Sequence, residues 1–266
     1  MITKRSLADN LMMAKMERLN TVEFKTSFGF LLQINGFRRG NVHIIMGGAG
    51  TGKSTLTRSV ILDFVKNNPT KKVGVWLSEE TTSSYELELF RATWRTDSIS
   101  NVHIEHEFGG NYGEIKNKFI EFTKNDFDII FYDNLTTSML YEPVGIDGQM
   151  EFANKLKEIA QEKDVPLVAL VHTGSGAGRN TDRLLEGNDV RGSKIINNMA
   201  EFFFILQTFN VNDKLMSMLM IDKSRSQLVK DKIFMLNFKF EDRIFVSDNP
   251  VPFLSFKELF KGRDKL

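Results

Sequence analysis

The sequence predicts an α/β fold in which a mostly parallel central sheet is flanked by helices and extended by C-terminal antiparallel strands. Three observations predict it. Up to residue 171, short and almost wholly apolar runs alternate with helical segments of about three turns, as expected of strands buried on both faces and joined by crossover helices. A glycine-rich loop lies between one of those strands and the helix that follows. Beyond residue 200 the pattern changes to strand-like stretches with turns at Asn212-Asp213 and Glu241-Asp242, which read as hairpins.

Taken in order, Ser6 to Asp9 has the form of a capping box. Leu7, Leu11 and Ala14 follow at helical spacing, with Met12, Met16 and Leu19 widening the stripe, so a short amphipathic helix is expected at about 7–19. Residues 1–27 are read as this helix and its lead-in, and residues 28–266 as one domain, since no linker or repeat divides them. Val42 to Met46 is the first strand, and Ser54 to Val65 a helix that ends before Asn67-Asn68-Pro69. Strands at Lys72–Ser78, Asn101–His106, Asp128–Asp133 and Val165–Val171 alternate with helices at Ser83–Trp94, Tyr112–Phe122 and Gln149–Glu162. Glu201–Gln207, Leu215–Asp222, Lys232–Phe240 and Arg243–Ser247 supply the later strands, and a terminal helix is expected at about 255–261. Thr173 to Gly192 is a long irregular stretch, and loops of that length in compact domains are functional or disordered.

Composition narrows the function. The formal charge of +1 gives no global attraction for a polyanion, so any nucleic-acid site must be local. The absence of cysteine excludes disulfides and thiolate metal sites. Met1 to Asn20 holds no secretory apolar stretch, and no run approaches the roughly 18 apolar residues a membrane helix requires, so a cytoplasmic location is expected.

The chemistry is concentrated in Gly47-Gly48-Ala49-Gly50-Thr51-Gly52-Lys53-Ser54, followed by Thr55. Chance places a Gly-x4-Gly-Lys-Ser/Thr pattern in about 1% of chains of this size, and the strand–loop–helix setting lowers that further. Glycines let successive amides turn inward, and the helix N-terminus adds positive potential, so the segment is suited to the phosphates of ATP. Lys53 is placed to reach the β- and γ-phosphates, and Ser54 to supply a Mg²⁺ ligand. Asp133, closing the apolar run Ile129 to Tyr132, is the expected acidic partner of that metal; Asp128 opens the strand at the wrong edge of the sheet. Glu79 and Glu80 end the strand after the P-loop helix, and adjacent strand residues face opposite ways unless the chain has already turned, so one of them is expected to enter the site as catalytic base, Glu79 first and Glu80 second. His172 ends another strand at the same edge, where it is placed to contact the γ-phosphate or the attacking water.

Ile45 to Ser54, Trp76 to Glu80, Ile129 to Asn134 and Leu170 to Gly174 together resemble the RecA-like ATPase core, and within it the DnaB-type replicative hexameric helicases and the plasmid RepA-type helicases. The resemblance covers about residues 28–247. It implies Glu79 as catalytic base and His172 in the position of the family's γ-phosphate sensor. It also implies that Lys223 and Arg225, in Lys223-Ser224-Arg225, reach a neighbouring subunit's ATP, and hence a homo-oligomeric ring, a hexamer, with sites between subunits. Asp189 to Ser193 resembles the end of the second DNA-facing loop, so Arg179, Arg183 and Arg191 become candidates for single-stranded DNA. The expected activity is ATP hydrolysis driving translocation on single-stranded DNA by a helicase. Two alternatives stay open: a KaiC-like regulatory ATPase whose oligomer ATP switches, and a RecA-like recombinase or recombination mediator.

Overall fold

The computed structural model describes residues 25–93, 99–174, 183–191, 194–211, 214–225 and 229–251. The helices expected at 7–19 and 255–261, and Arg179, lie outside these residues.

The strands are β1 (Val42–Gly47), β2 (Val73–Leu77), β3 (Val102–His106), β4 (Ile129–Asp133), β5 (Leu167–His172), β6 (Ala200–Val211), β7 (Lys214–Ser224), β8 (Lys232–Lys239) and β9 (Ile244–Val251). Among the described residues they form one sheet in the order β3-β2-β4-β5-β1-β6-β7-β8-β9. Pairing is parallel from β3 through β6 and antiparallel from β6 through β9. The helices are α1 (Gly29–Gln33), α2 (Lys53–Asn67), α3 (Thr82–Thr93), α4 (Tyr112–Thr123), α5 (Gly145–Lys163) and α6 (Lys194–Met199). The predicted fold class is the observed one.

Alternation along each strand divides the core between the two faces of the sheet. Val42, Ile44 and Met46 pack with Phe119 of α4 and Leu156 of α5, whereas Ile45 packs with Phe30 of α1, Leu56 and Phe64 of α2, and Tyr85 of α3. Strands covered on both faces have no polar side to display, which is why β1, β2 and β4 are buried at every position.

Some boundaries differ from expectation. α5 starts at Gly145 rather than Gln149, because Gly145, at φ 69°, makes the turn into it. The connection between β4 and α5 is therefore shorter than the expected strand and helix bounds imply, and it holds 3₁₀ turns at Leu135–Thr137 and Glu142–Val144. α6 was not signalled: Asn197 and Asn198 are weak helix formers, but Ile196 and Met199 bury one face. β9 tolerates Pro250 because it is an edge strand and needs no donor on its open side. Asp248 on β9 accepts hydrogen bonds from the backbone N–H groups of Gly29 and Phe30, capping α1 and tying the last strand to the first helix. Among the described residues, no helix is long and apolar enough to cross a membrane.

Candidate nucleotide site

The parallel strands β1, β2, β4 and β5 all end at one edge of the sheet, and the groups singled out in the sequence lie there. Gly47 is the last residue of β1, and a Cβ on it would lie 2.7 Å from the Thr51 hydroxyl and 2.8 Å from the Leu206 carbonyl of β6. The loop therefore packs against its neighbouring strand with no room for a side chain at its first position. Gly50 and Gly52 have φ of 66° and 95°, a conformation that turns the chain inward and that other residues resist. The Thr51 hydroxyl donates to the Gly48 carbonyl at 2.9 Å, closing the loop before α2 begins at Lys53.

Lys53 is 5% exposed and donates to the carbonyls of Gly47 and Gly48 and to His172 Nδ1, each at 3.0 Å. Burial lowers its pKa to about 8 against the opposing pull of Asp133 and Glu79. His172 pairs with Gly47 across the β1–β5 ladder, and its Nε2 lies 2.6 Å from Glu79 Oε1. With Nδ1 accepting from a charged lysine, the ring proton belongs on Nε2, where it donates to Glu79. Burial works against the Glu79 anion, but His172, Thr137 and the Lys53 charge outweigh it and hold the carboxyl below its ordinary pKa. Lysine, histidine and glutamate thus form a continuous chain across the ends of α2, β5 and β2.

The two adjacent glutamates separate. Glu80 turns away, pairing with Arg58 of α2 at 3.1 Å and accepting from the Ser84 hydroxyl at 3.2 Å.

Asp133 is buried at the end of β4, and among the described residues neither of its carboxylate oxygens has a hydrogen-bond partner within bonding distance. Desolvation pushes its pKa up to about 6, partly offset by the nearby Ser54 hydroxyl and raised further by Glu79 and Glu80. A buried carboxylate with two unsatisfied oxygens beside a P-loop serine fits the oxygen-ligand chemistry of a hard divalent cation. Asp128, at the other end of β4, pairs with Lys71 at 2.8 Å, away from this edge.

Three residues not singled out in the sequence brace the site. The Ser78 hydroxyl donates to the Asn134 carbonyl at 2.6 Å and lies 2.9 Å from the Thr137 hydroxyl. Thr136 accepts from the His172 backbone N–H at 2.9 Å and donates to Asn134 Oδ1 at 2.8 Å. The polar residues Asn134, Thr136 and Thr137 after β4 mark the place in the sequence but not the contacts they make.

The loop after β5 returns to its own root. Gly174 N–H donates to the Asp189 carbonyl at 2.7 Å and Arg191 N–H to the His172 carbonyl at 2.8 Å. Gln207 on β6 accepts from Leu185 N–H at 3.0 Å and donates to the Arg183 carbonyl at 2.8 Å. Arg183 forms a two-pronged ion pair with Asp189, and Arg191 pairs with Glu142, so both of these candidate DNA contacts face carboxylates.

Lys223 and Arg225 lie elsewhere. Lys223 stands opposite Phe203, itself level with Ile44, three residues up β1 from Gly47 and on the far side of β6. Lys223 donates to Asn197 O, and Arg225 to Asn198 O. Burial, reinforced by Arg225, lowers the Lys223 pKa to about 8. The structure brings Lys53, Ser54, Glu79, Asp133 and His172 together at one edge and places Lys223 and Arg225 toward the other.

A glycine-rich phosphate loop at the carboxyl edge of a parallel sheet, with acids on two neighbouring strands and an antiparallel extension, defines a P-loop protein of RecA-like fold. The chain is similar in structure to a KaiC-like protein from the hyperthermophilic archaeon Pyrococcus horikoshii, with a TM-score of 0.65 and 18% sequence identity over 87% of this chain and 100% of the other. At that identity the likeness is one of fold. No family profile matches the sequence, and no curated protein matches it.

Proposed function

We propose that this protein hydrolyses ATP at the edge formed by Gly47–Thr55, Glu79, Asp133 and His172, and that an assembly of its copies uses the energy to move along single-stranded DNA. The observation that carries the hydrolytic reading is the Lys53–His172–Glu79 chain, which links the phosphate-binding lysine to a carboxylate one helix away in sequence. Ser54 and Asp133 are the residues that would hold Mg²⁺, which when bound neutralises charge on the β- and γ-phosphates.

Phosphates entering the loop offer Lys53 stronger acceptors than the carbonyls of Gly47 and Gly48, and draw it from His172. Glu79, kept ionised at neutral pH, orients the attacking water and takes its proton. His172 loses the lysine at Nδ1 while its backbone stays bonded to Arg191, so a change at the ring is passed to the loop that follows β5. Lys223 and Arg225 are too far along β7 to serve the same chain's loop, which supports their acting on a second copy's ATP within a ring.

A KaiC-like reading, in which ATP switches an assembly without translocation, is favoured by the paired state of Arg183 and Arg191 and by the similarity in fold. ATPase rate with and without single-stranded DNA, read alongside mass by light scattering, separates the two. A DNA motor shows stimulation by the strand in an oligomer. An oligomer that hydrolyses ATP at the same rate with and without DNA supports the switch.

A further inference from the structure

Glu107, just past the end of β3, is 3% exposed, and among the described residues it forms no ion pair with a cation. Its carboxylate is nonetheless surrounded by donors. Oε1 lies 2.9 Å from the Trp76 indole N–H, 2.8 Å from the Tyr132 hydroxyl and 2.5 Å from the Ser138 hydroxyl, and Oε2 accepts from Met139 N–H at 2.9 Å. These donors are not scattered. Trp76 is on β2, three residues before Glu79. Tyr132 is the residue before Asp133 on β4. Ser138 and Met139 directly follow Thr136 and Thr137, which hold the His172 backbone and bear on Glu79. One buried carboxylate therefore fastens together the three segments that carry the base, the metal-side acid and the histidine's support. Burial and the adjacent carboxylate also push the Tyr132 phenol well up, which keeps it a donor.

We propose that Glu107 is a positioning residue for ATP hydrolysis: by holding Trp76, Tyr132, Ser138 and Met139 at once, it fixes Glu79 relative to Asp133. This rests on the hydrolytic reading of the site. Glutamine at this position has nearly the same volume, but its NH₂ group would face either the Met139 N–H or the three donors at the other oxygen, so one side of the clamp opens. A displacement of about 1 Å at the water-orienting group costs about a hundredfold in turnover.

The test compares steady-state ATP hydrolysis of the full chain with its affinity for a non-hydrolysable ATP analogue. Glu107→Gln should lower kcat about 10- to 100-fold while analogue affinity stays within about threefold. Adding Thr137→Val should cost no more than the worse single change, because both act through Glu79. Ser138→Ala, which removes one donor and leaves the carboxylate, should give a smaller loss and serves if Glu107→Gln does not fold. Normal kcat in Glu107→Gln, losses that multiply in the double variant, or affinity falling in step with kcat would each overturn the proposal. Glu79→Gln keeps the two readings distinct: if it retains turnover the site itself is misassigned, and if it is inactive while Glu107→Gln is unimpaired only the clamp fails.

Discussion

Two sets of basic groups lie along this sheet, Lys53 beside β1 and Lys223 with Arg225 on and just past β7, and their surroundings differ in kind. At the carboxyl edge, Lys53 is buried among backbone carbonyls and a histidine, with Asp133 close by and, among the described residues, no partner within bonding distance of its carboxylate. Toward the other edge, Lys223 and Arg225 rest on the carbonyls of Asn197 and Asn198, with no phosphate loop near them. One edge is a cradle with an acid placed for a cation; the other holds its cations on backbone carbonyls, with Glu201 and Asp222 near enough to act on Lys223. The contrast is what the proposed ring would use, one copy's cations set against another copy's loop. It also locates the cost of function. A cradle built to bind a charged ligand stores unsatisfied groups in its free state, whereas the other edge satisfies its cations locally.

The largest expected effect tests the cradle. Glu79→Gln should retain ATP binding and lose about 10⁴-fold in turnover, the upper end for a group that handles the water's proton. Turnover within tenfold of the unmodified protein would reassign the base. Next comes the opposite edge: Arg225→Ala should lose about 10³-fold, the lower end for a cation supplied across an interface. Mixing Arg225→Ala with Glu79→Gln subunits should then restore activity that neither has alone, since some interfaces regain both groups. If the mixture stays as inactive as its components, the two edges do not meet in the assembly.

A smaller effect follows from Asp133. Its pKa rises from 3.8 to about 6 on folding, so the folded protein binds a proton that the unfolded chain releases. The sign is therefore unfavourable above pH 6: at neutral pH the buried anion costs about 3 kcal/mol, and that cost fades as pH falls through 6 toward 4. Asp133→Asn should accordingly raise the melting temperature of the nucleotide-free protein by several degrees at pH 7.5 and hardly at all at pH 4. An equal gain at both pH values would show that the stabilisation comes from packing. The smallest effect is reserved for the loop beyond His172. Replacing Arg179 and Arg183 together by alanine should cut stimulation by single-stranded DNA several-fold and steepen no other dependence, as expected for a few phosphate contacts. Unchanged stimulation would remove that loop from the DNA path.

The fold and half of the site were legible in the sequence, for identifiable reasons. Strands buried on both faces cannot hide their apolar runs, and the P-loop requires glycine at particular backbone positions, so β1 to β5 and Gly47 to Ser54 stand out. Glu79 ranks ahead of Glu80 on the resemblance of the block Trp76 to Glu80; β2 ends at Leu77, so both glutamates lie beyond the strand, and Arg58 pairs with Glu80. Thr136, Thr137 and Glu107 could not be read in that way. Each acts through partners distant in sequence, Glu107 with Trp76 at one remove and Ser138 at another, and no local spacing encodes such contacts. α6 was illegible for a different reason: burial of Ile196 and Met199 overrides the poor helix propensity of its asparagines. The ion pairs of Arg183 and Arg191 were likewise invisible, since acidic neighbours such as Asp189 could be counted but not matched to an arginine.

The backbone bonds at the root of the loop after β5 have a consequence for protein engineering. Gly174 to Asp189 and Arg191 to His172 hold the two stalks together, and Gln207 fastens the returning arm to β6. Closure at that point is thus achieved by the bonds at the root. Lengthening a tip beyond a closed root costs only about 0.6 kcal/mol per doubling. Exchanging the segment between Gly174 and Arg183 for others of different length should therefore leave the histidine at its base in place, which the ATP-analogue affinity of the exchanged chains would check.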